Sequence, residues 1–390
     1  MVKVKSWLFT EVRGKVKKAE FRRRKNKVTE LSQKRIPFNP RTPAQRIVRR
    51  TYGECVEEWN KLSEAEKREW RILGTLQGIS GYNAFMRDCI TKKLGVVWYE
   101  ILIDNTGNPD ALSDFQVLLE VTNDEAFFKN ADWKQEALEF YDTDKATLLN
   151  HYTELWDTLH YNAKIWIKVP YIPANECRFI YLKMNTKRTT DLSNPENVFD
   201  FYDDFEGDAL DTNKWNETRT GGGITLSNSI ITLKDGARID GKTSLGLSVL
   251  AEFKAKFSAW DSSFGQVNVG FRGEFEDKST TDANAVYIFA YNRDTYFRLM
   301  SRKDGTGSAI DTNKEADNAE HIFKVIRVSE SKVKAQIDDL SPVEKTDNIP
   351  TTDIPVTLET RPSYSETLEV NWVRVRKYTE PEPTVSYAKA

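Results

Sequence analysis

Retaining glycoside cleavage needs two carboxyl groups about 5 Å apart, one as acid and one as nucleophile. Glu274 and Glu276, in RGEFED, come closest to such a pair, but both sit at the end of a strand. No other strand offers one, so the chain reads as a non-enzyme. His151, His160 and His321 are scattered, as are Cys55, Cys89 and Cys177. A triad or zinc site has little to work with, and the odd, widely spaced cysteines argue against disulfide staples. Two kinds of ligand-holding residue remain. The cations Arg22, Arg23, Arg24, Lys25 and Lys27 form a patch for an anionic partner, or a solvated hairpin tip. Trp166, between Lys164 and Lys168, and the tyrosines Tyr287, Tyr291 and Tyr296 could stack on sugar rings, or pack against a neighbouring sheet.

The 390 residues allow about two to three domains. Charge is unevenly spread. The first 50 residues hold 17 Lys or Arg against 3 Asp or Glu, whereas residues 96–390 carry a net charge of −16. A basic arm on an acidic body favours an anionic partner for the arm: nucleic acid, or the acidic surface of a neighbouring subunit. No apolar run approaches the roughly 18 residues of a membrane span. The charged start, MVKVKSWLFTEVRGKVKK, has no apolar core, so no signal peptide is expected.

Residues 1–95 read as a basic hairpin followed by helices. The hairpin spans 17–34 and turns near Lys25 and Asn26. Thr42, Pro43 and Gln45 open a first helix, on which Val48, Tyr52, Cys55, Val56 and Trp59 share an apolar face. Ser63 and Glu66 form a capping box for a second helix running to about Leu73, with Trp70 inward. A third carries Tyr82, Phe85, Cys89 and Ile90. The order RGK, NPRTPAQR, LSEAEKREW and GISGYNAF resembles the opening of small phage and prophage structural proteins. The string EEWNKLSEAEKREW also looks like the second helix of an HMG box.

Residues 96–190 alternate with period two in VVWYEILID, DFQVLLEVT, AKIWIKVP and CRFIYLKM, the pattern of an antiparallel sandwich. The segment resembles uncharacterised β-domains that precede concanavalin-like sandwiches in archaeal, bacterial and viral surface proteins. Trp98 to Ile103, Trp166 to Pro173, and Ile180 with Tyr181 carry that resemblance. It implies a surface protein and names no reaction.

Val198 to Trp215, VFDFYDDFEGDALDTNKW, reads as a linker that becomes the first strand of a second sandwich, 191–378. There LSVLAEFKAKFSAW points Leu247, Val249, Ala251, Phe253, Ala255 and Phe257 inward, and Trp372 is expected to plug the core. Long antiparallel strands in this order indicate a jelly roll. FYDDFEGDALDTNKW and NWVRVRKY resemble the opening and closing strands of concanavalin-like, laminin-G-like domains. Glycoside hydrolases of that fold carry Glu-x-Asp-x-x-Glu on one strand, and no strand here does. Related sandwiches often bind a structural Ca2+, which the resemblance would place on Asp204, Glu206 and Asn371, with Asn371 weakening the site. Residues 379–390 read as a flexible tail.

The fold class expected is mostly β: two antiparallel sandwiches, the second a concanavalin-like jelly roll, behind a small hairpin-plus-helices module. The function expected is a non-enzymatic virion structural protein, a spike or decoration anchored by its N-terminal module. Its partners would be other virion subunits or itself in a homo-oligomer, and a host surface glycan. A cellular adhesin at the cell surface or outside the cell, and a nucleic-acid-binding protein acting through the basic arm, are the alternatives.

Overall fold

The computed structural model describes residues 2–3, 14–16, 19–23, 29–33, 43–94, 96–220, 223–258, 266–273, 283–291, 294–361 and 366–389. The chain divides into two compact units, Met1–Leu94 and Gly95–Ala390. Among the described residues no helix is long and apolar enough to cross a membrane.

In the first unit, four short strands form an antiparallel sheet that includes the hairpin Ala19–Arg23 and Thr29–Gln33. Three helices follow: α1 (Pro43–Lys61), α2 (Glu64–Leu76) and α3 (Gly81–Leu94). Ser63 caps α2 reciprocally. Its Oγ accepts the Glu66 N–H at 3.3 Å, while its own N–H donates to the Glu66 carboxylate at 2.8 Å. The backbones of α2 and α3 nearly touch: a Cβ on Gly74 would lie 2.7 Å from the Gly81 nitrogen. Trp59 and Trp70 flank Phe85 with ring centroids 5.3 and 5.4 Å away.

Two expectations fail in this unit. Val48 and Tyr52 are about half exposed, at 49% and 48%, because the α1 face that α3 covers centres on Cys55 and Trp59. And Cys55 and Cys89 form a disulfide, bridging α1 to α3 across 34 residues of sequence. Spacing along the chain hid that pair, which only the packing of two helices brings together. Cys177 is the one free cysteine, and it is exposed.

The second unit holds the two sandwiches, and the whole is mostly β. The first packs a three-stranded sheet (Leu112–Val121, Asn162–Ile172, His151–Asp157) on a five-stranded one. Inward residues such as Ile101, Val117, Ile165 and Leu182 fill its core. The last strand of the five-stranded sheet is Thr384–Lys389, paired antiparallel with Val96–Asp104. Thr384–Lys389, expected as part of a loose tail, are therefore a paired strand. Val385 and Tyr387 turn toward the first core, and the Tyr387 hydroxyl donates to Asp124 at 2.8 Å.

The second sandwich is the expected jelly roll, an eight-stranded sheet facing a seven-stranded one. Alternation drives it: Val249, Ala251, Phe253, Ala255 and Phe257 all enter one apolar core. Trp372 does not plug that core. A register shift opposite Lys254 and Ala255 lies between Val370 and Trp372, and from there Val373 and Val375 face in. Trp372 stands on the outer face, 4.8 Å from the guanidinium carbon of Arg374.

That outer face meets the first sandwich. Trp166, Val198, Phe199 and Tyr202 form a buried cluster in the seam. Trp166 is thus covered by the neighbouring sandwich and is not free to stack on a sugar; its indole N–H donates to Glu154 at 2.6 Å. Arg374 lies within 4.9 Å of the Trp166 ring and 5.5 Å of Phe199, and it pairs with both Glu252 and Glu154. Gln116, from the first sandwich, donates to the Val198 carbonyl at 2.9 Å and accepts from the Lys377 N–H at 3.0 Å. The two sandwiches are joined by polar groups that would cost free energy if left unmatched.

Candidate functional site

In the seven-stranded sheet, Ala237, Ile239, Val267, Val269, Phe271, Val286, Ile288, Val356 and Leu358 face the core. Period two therefore sends Arg238, Asp240, Gln266, Asn268, Gly270, Arg272, Tyr287, Phe289, Thr357 and Glu359 to the outer face. Few residues of that face are apolar, yet most are buried. Such groups persist under cover only when paired.

The pairing runs across strands far apart in sequence. Register sets Asp240 opposite Thr357, and Glu359 opposite both Arg238 and Asn268. Asp240 accepts from the Arg238 Nε at 3.0 Å, from the Thr357 hydroxyl at 2.6 Å, and from Thr218. Arg238, fully buried, also donates to the Gly273 carbonyl at 2.9 Å. Glu359 accepts from Asn268 at 3.1 Å and pairs with Arg272. Gln266 completes the chain by donating to Asn268 at 2.6 Å. The Arg272 guanidinium lies over the Tyr287 ring at 4.7 Å, and Arg298 lies 5.6 Å from the Phe289 ring.

Gly270 sits in the middle of this face with φ +155°. A Cβ there would approach the Val286 carbonyl and the Tyr287 Cα to 2.5 Å. The face thus carries two carboxylates, guanidinium groups, amides and an aromatic ring, with a position beside them where only glycine fits. Donors, acceptors and a ring together are the groups that recognise a polyhydroxyl ligand, and here they are buried and already paired with one another.

Sequence reasoning missed Arg238, Asp240, Asn268, Thr357 and Glu359. A signal was present: the outward positions of ARID, QVNVGFR and VTLET are polar at every second residue, where an exposed face and a paired face look alike. Tyr287, one of the three tyrosines considered, does lie here, packed with Phe289 and Met300. Glu274 and Glu276 lie outside the described residues, as do Arg24, Lys25 and Lys27. Arg22 and Arg23 belong to a strand, opposite Glu30 and Thr29, and their side chains are also outside the description.

The expected Ca2+ ligands are not gathered. Asn371 donates its amide to Glu320 at 2.9 Å. Asp204 accepts from the Glu206 N–H at 3.4 Å. The buried carboxylate of the opening stretch is Asp203 instead, and it is spent on the fold. It accepts from the Trp215 indole at 2.6 Å and the Phe205 N–H at 2.9 Å, while burial pushes its carboxyl up from the ordinary aspartate value. Among the described residues, no three His, Cys, Asp or Glu side chains stand together so as to hold an ion. The residues present do not fit the metal.

A family model described as a domain of unknown function, DUF2341, matches residues 134–218, across the end of the first sandwich and the start of the second. No curated protein matches. Among solved structures, the chain is similar to a Bacillus licheniformis beta-glucanase, at 17% identity over 45% of this chain and 97% of that one, with a TM-score of 0.38. It is similar to a prokaryotic beta-1,3-1,4-glucanase (lichenase) from a mouse hindgut metagenome, at 16% identity over 45% and 98%, TM-score 0.38. A glycosyl hydrolase family 16 protein from Mycobacterium smegmatis matches at 14% identity over 45% and 99%, TM-score 0.37. Each of these likenesses covers less than half of this chain. The expectation of a non-enzyme does not stand beside these neighbours, which are named as glycan-cleaving enzymes.

Proposed function

We propose that the chain is a surface protein whose jelly roll recognises a glycan through the outer face of its seven-stranded sheet. The observation that carries this reading is the paired layer of Asp240, Arg238, Glu359, Arg272 and Asn268 with the Tyr287 ring beneath Arg272. A fold-stabilising layer alone is more cheaply built from apolar side chains, since buried ion pairs add little stability over them. The test has two arms: retention of the full chain on a glycan array, and release of reducing ends from mixed-linkage β-glucan. Retention without release assigns binding, and release assigns cleavage. Neither, or retention unchanged in Arg272→Ala, rejects the reading.

A finer reading places the protein on a virus particle, anchored by its N-terminal unit and associated with other subunits or with a second copy of itself. The order of the RGK, NPRTPAQR and GISGYNAF motifs supports it. The Cys55–Cys89 disulfide suits an oxidising setting such as a particle surface. Purified particles that lack the chain by mass spectrometry would reject that location and leave the glycan reading intact.

A further inference from the structure

Away from the jelly roll, one end of the first sandwich carries a cluster of aromatic rings that reaches the surface. Trp133 follows the short helix Glu125–Asn130 and is 40% exposed. Its φ is +63°, directly after Asp132 at +53°. A left-handed conformation crowds any Cβ, and for a bulky residue it is a true outlier. Glycine is the unstrained choice at such a helix end. The strain is held from both sides: the Trp133 N–H donates to the Phe128 carbonyl at 2.9 Å, and its carbonyl accepts from the Trp156 indole at 3.2 Å.

A second ring, half-buried against the first core, stands beside it. Tyr161, φ +59°, stands in the turn after the strand His151–Asp157, and its carbonyl accepts from the Asp124 N–H at 3.2 Å. The two rings lie 5.9 Å apart with planes inclined at 44°. Buried Phe128 supports both from beneath, with its centroid 6.4 Å from each. Two polar pairs border them. Lys134 meets Asp132 at 2.7 Å, and His160 meets Asp157 at 2.7 Å.

We propose that Trp133 and Tyr161 form a stacking platform for pyranose rings, a second glycan-contact site separate from the face of the jelly roll. Flat rings take up the apolar C–H face of a sugar, and the bordering carboxylates, ammonium and imidazole supply acceptors and donors for its hydroxyls. These polar side chains also distinguish this surface from a purely apolar docking patch, whose centre excludes charge.

The backbone strain gives the test its handle. In the full chain, Trp133→Gly removes the ring and relieves the left-handed residue at once. We expect the melting temperature of W133G to stay within about 2 °C of the parent or to rise. We expect glycan-array retention to fall at least tenfold for the sugars that still bind an R272A chain, in which the jelly-roll face is impaired. Tyr161→Ala should lose the same sugars. Three results would overturn the proposal: R272A retains no sugar, W133G retains R272A's full set, or W133G abolishes self-association in sedimentation while leaving retention unchanged. The last would make the platform a contact between copies. Failure of the jelly-roll reading is seen separately, as retention indifferent to R272A.

Discussion

Arg374 and Glu154 stand 220 residues apart in the chain and meet at 2.6 Å in the seam between the two sandwiches. The same guanidinium pairs with Glu252 on its own sheet and stacks beside Trp166 and Trp372. Burial alone would raise the Glu252 carboxyl. The charges of Arg374 and Arg376 more than reverse this and hold it below the ordinary glutamate value.

Removing that guanidinium should leave two carboxylates in the seam with no cation of comparable geometry. Arg374→Ala is expected to lose about 3–5 kcal/mol in urea denaturation. It should also split a shared transition of the sandwiches into two, because each keeps its own core. A single transition with an unchanged midpoint would refute the role assigned to the seam. Glu252 gives the sign with pH: its pKa is lowered in the folded state, so its contribution is complete above the unfolded value and fades as pH falls through the folded one.

The disulfide ties α1 to α3 across a loop of 34 residues. By loop entropy, its loss should cost the N-terminal unit about 3–4 kcal/mol. Calorimetry with and without reductant checks this. The transition of residues 1–94 should shift down, while the sandwich transition, which contains no disulfide, stays in place. Mass spectrometry of the unreduced chain should recover the peptides of Cys55 and Cys89 joined, with Cys177 free to alkylate.

His151 is buried beside Phe140, with its Nε2 unpartnered, and desolvation holds its pKa down at about 4. A lowered histidine favours the fold fully above its unfolded value near 6.5, and that favour is lost as pH drops toward about 4. Glu139 extends the acid sensitivity. Burial opposes its ionisation, but Lys183, Arg188, Tyr141 and Asn185 bring its pKa to about 2. Stability should therefore decline in two stages, between pH 6.5 and 4 and again below about 4.5. His151→Leu should flatten the first stage only, as read by denaturant midpoints across pH. An unchanged first stage in that variant would assign it to another group.

What could be read from the sequence was local. The Ser63–Glu66 box needs only residues three apart, and Val249 to Phe257 alternate within one strand, so a helix start and a core strand were visible without partners. What escaped depends on distant segments. Asp240 meets Thr357 across 117 residues, so its role as a paired group, and not a solvated one, appears only once the sheet is formed. For Trp166 the outward position was legible, and of its two readings the one in which a neighbouring sheet covers it is the one the seam bears out. The EPEP segment read as a loose end because its prolines and carboxylates mark turns, and the short alternation of TVSYAK after it has meaning only beside the strand Val96–Asp104.

That final strand makes the first sandwich discontinuous in the chain. Lys389 lies opposite Tyr99, so a sheet begun early in synthesis waits for nearly 300 further residues before its edge is closed. The jelly roll needs no strand beyond Lys377, while the first sandwich stays open at one edge until Thr384–Lys389 pairs. Of the two sandwiches, the one begun first is therefore the one completed last, and a chain cut before Thr384 would carry a finished jelly roll beside a first sandwich left open at one edge.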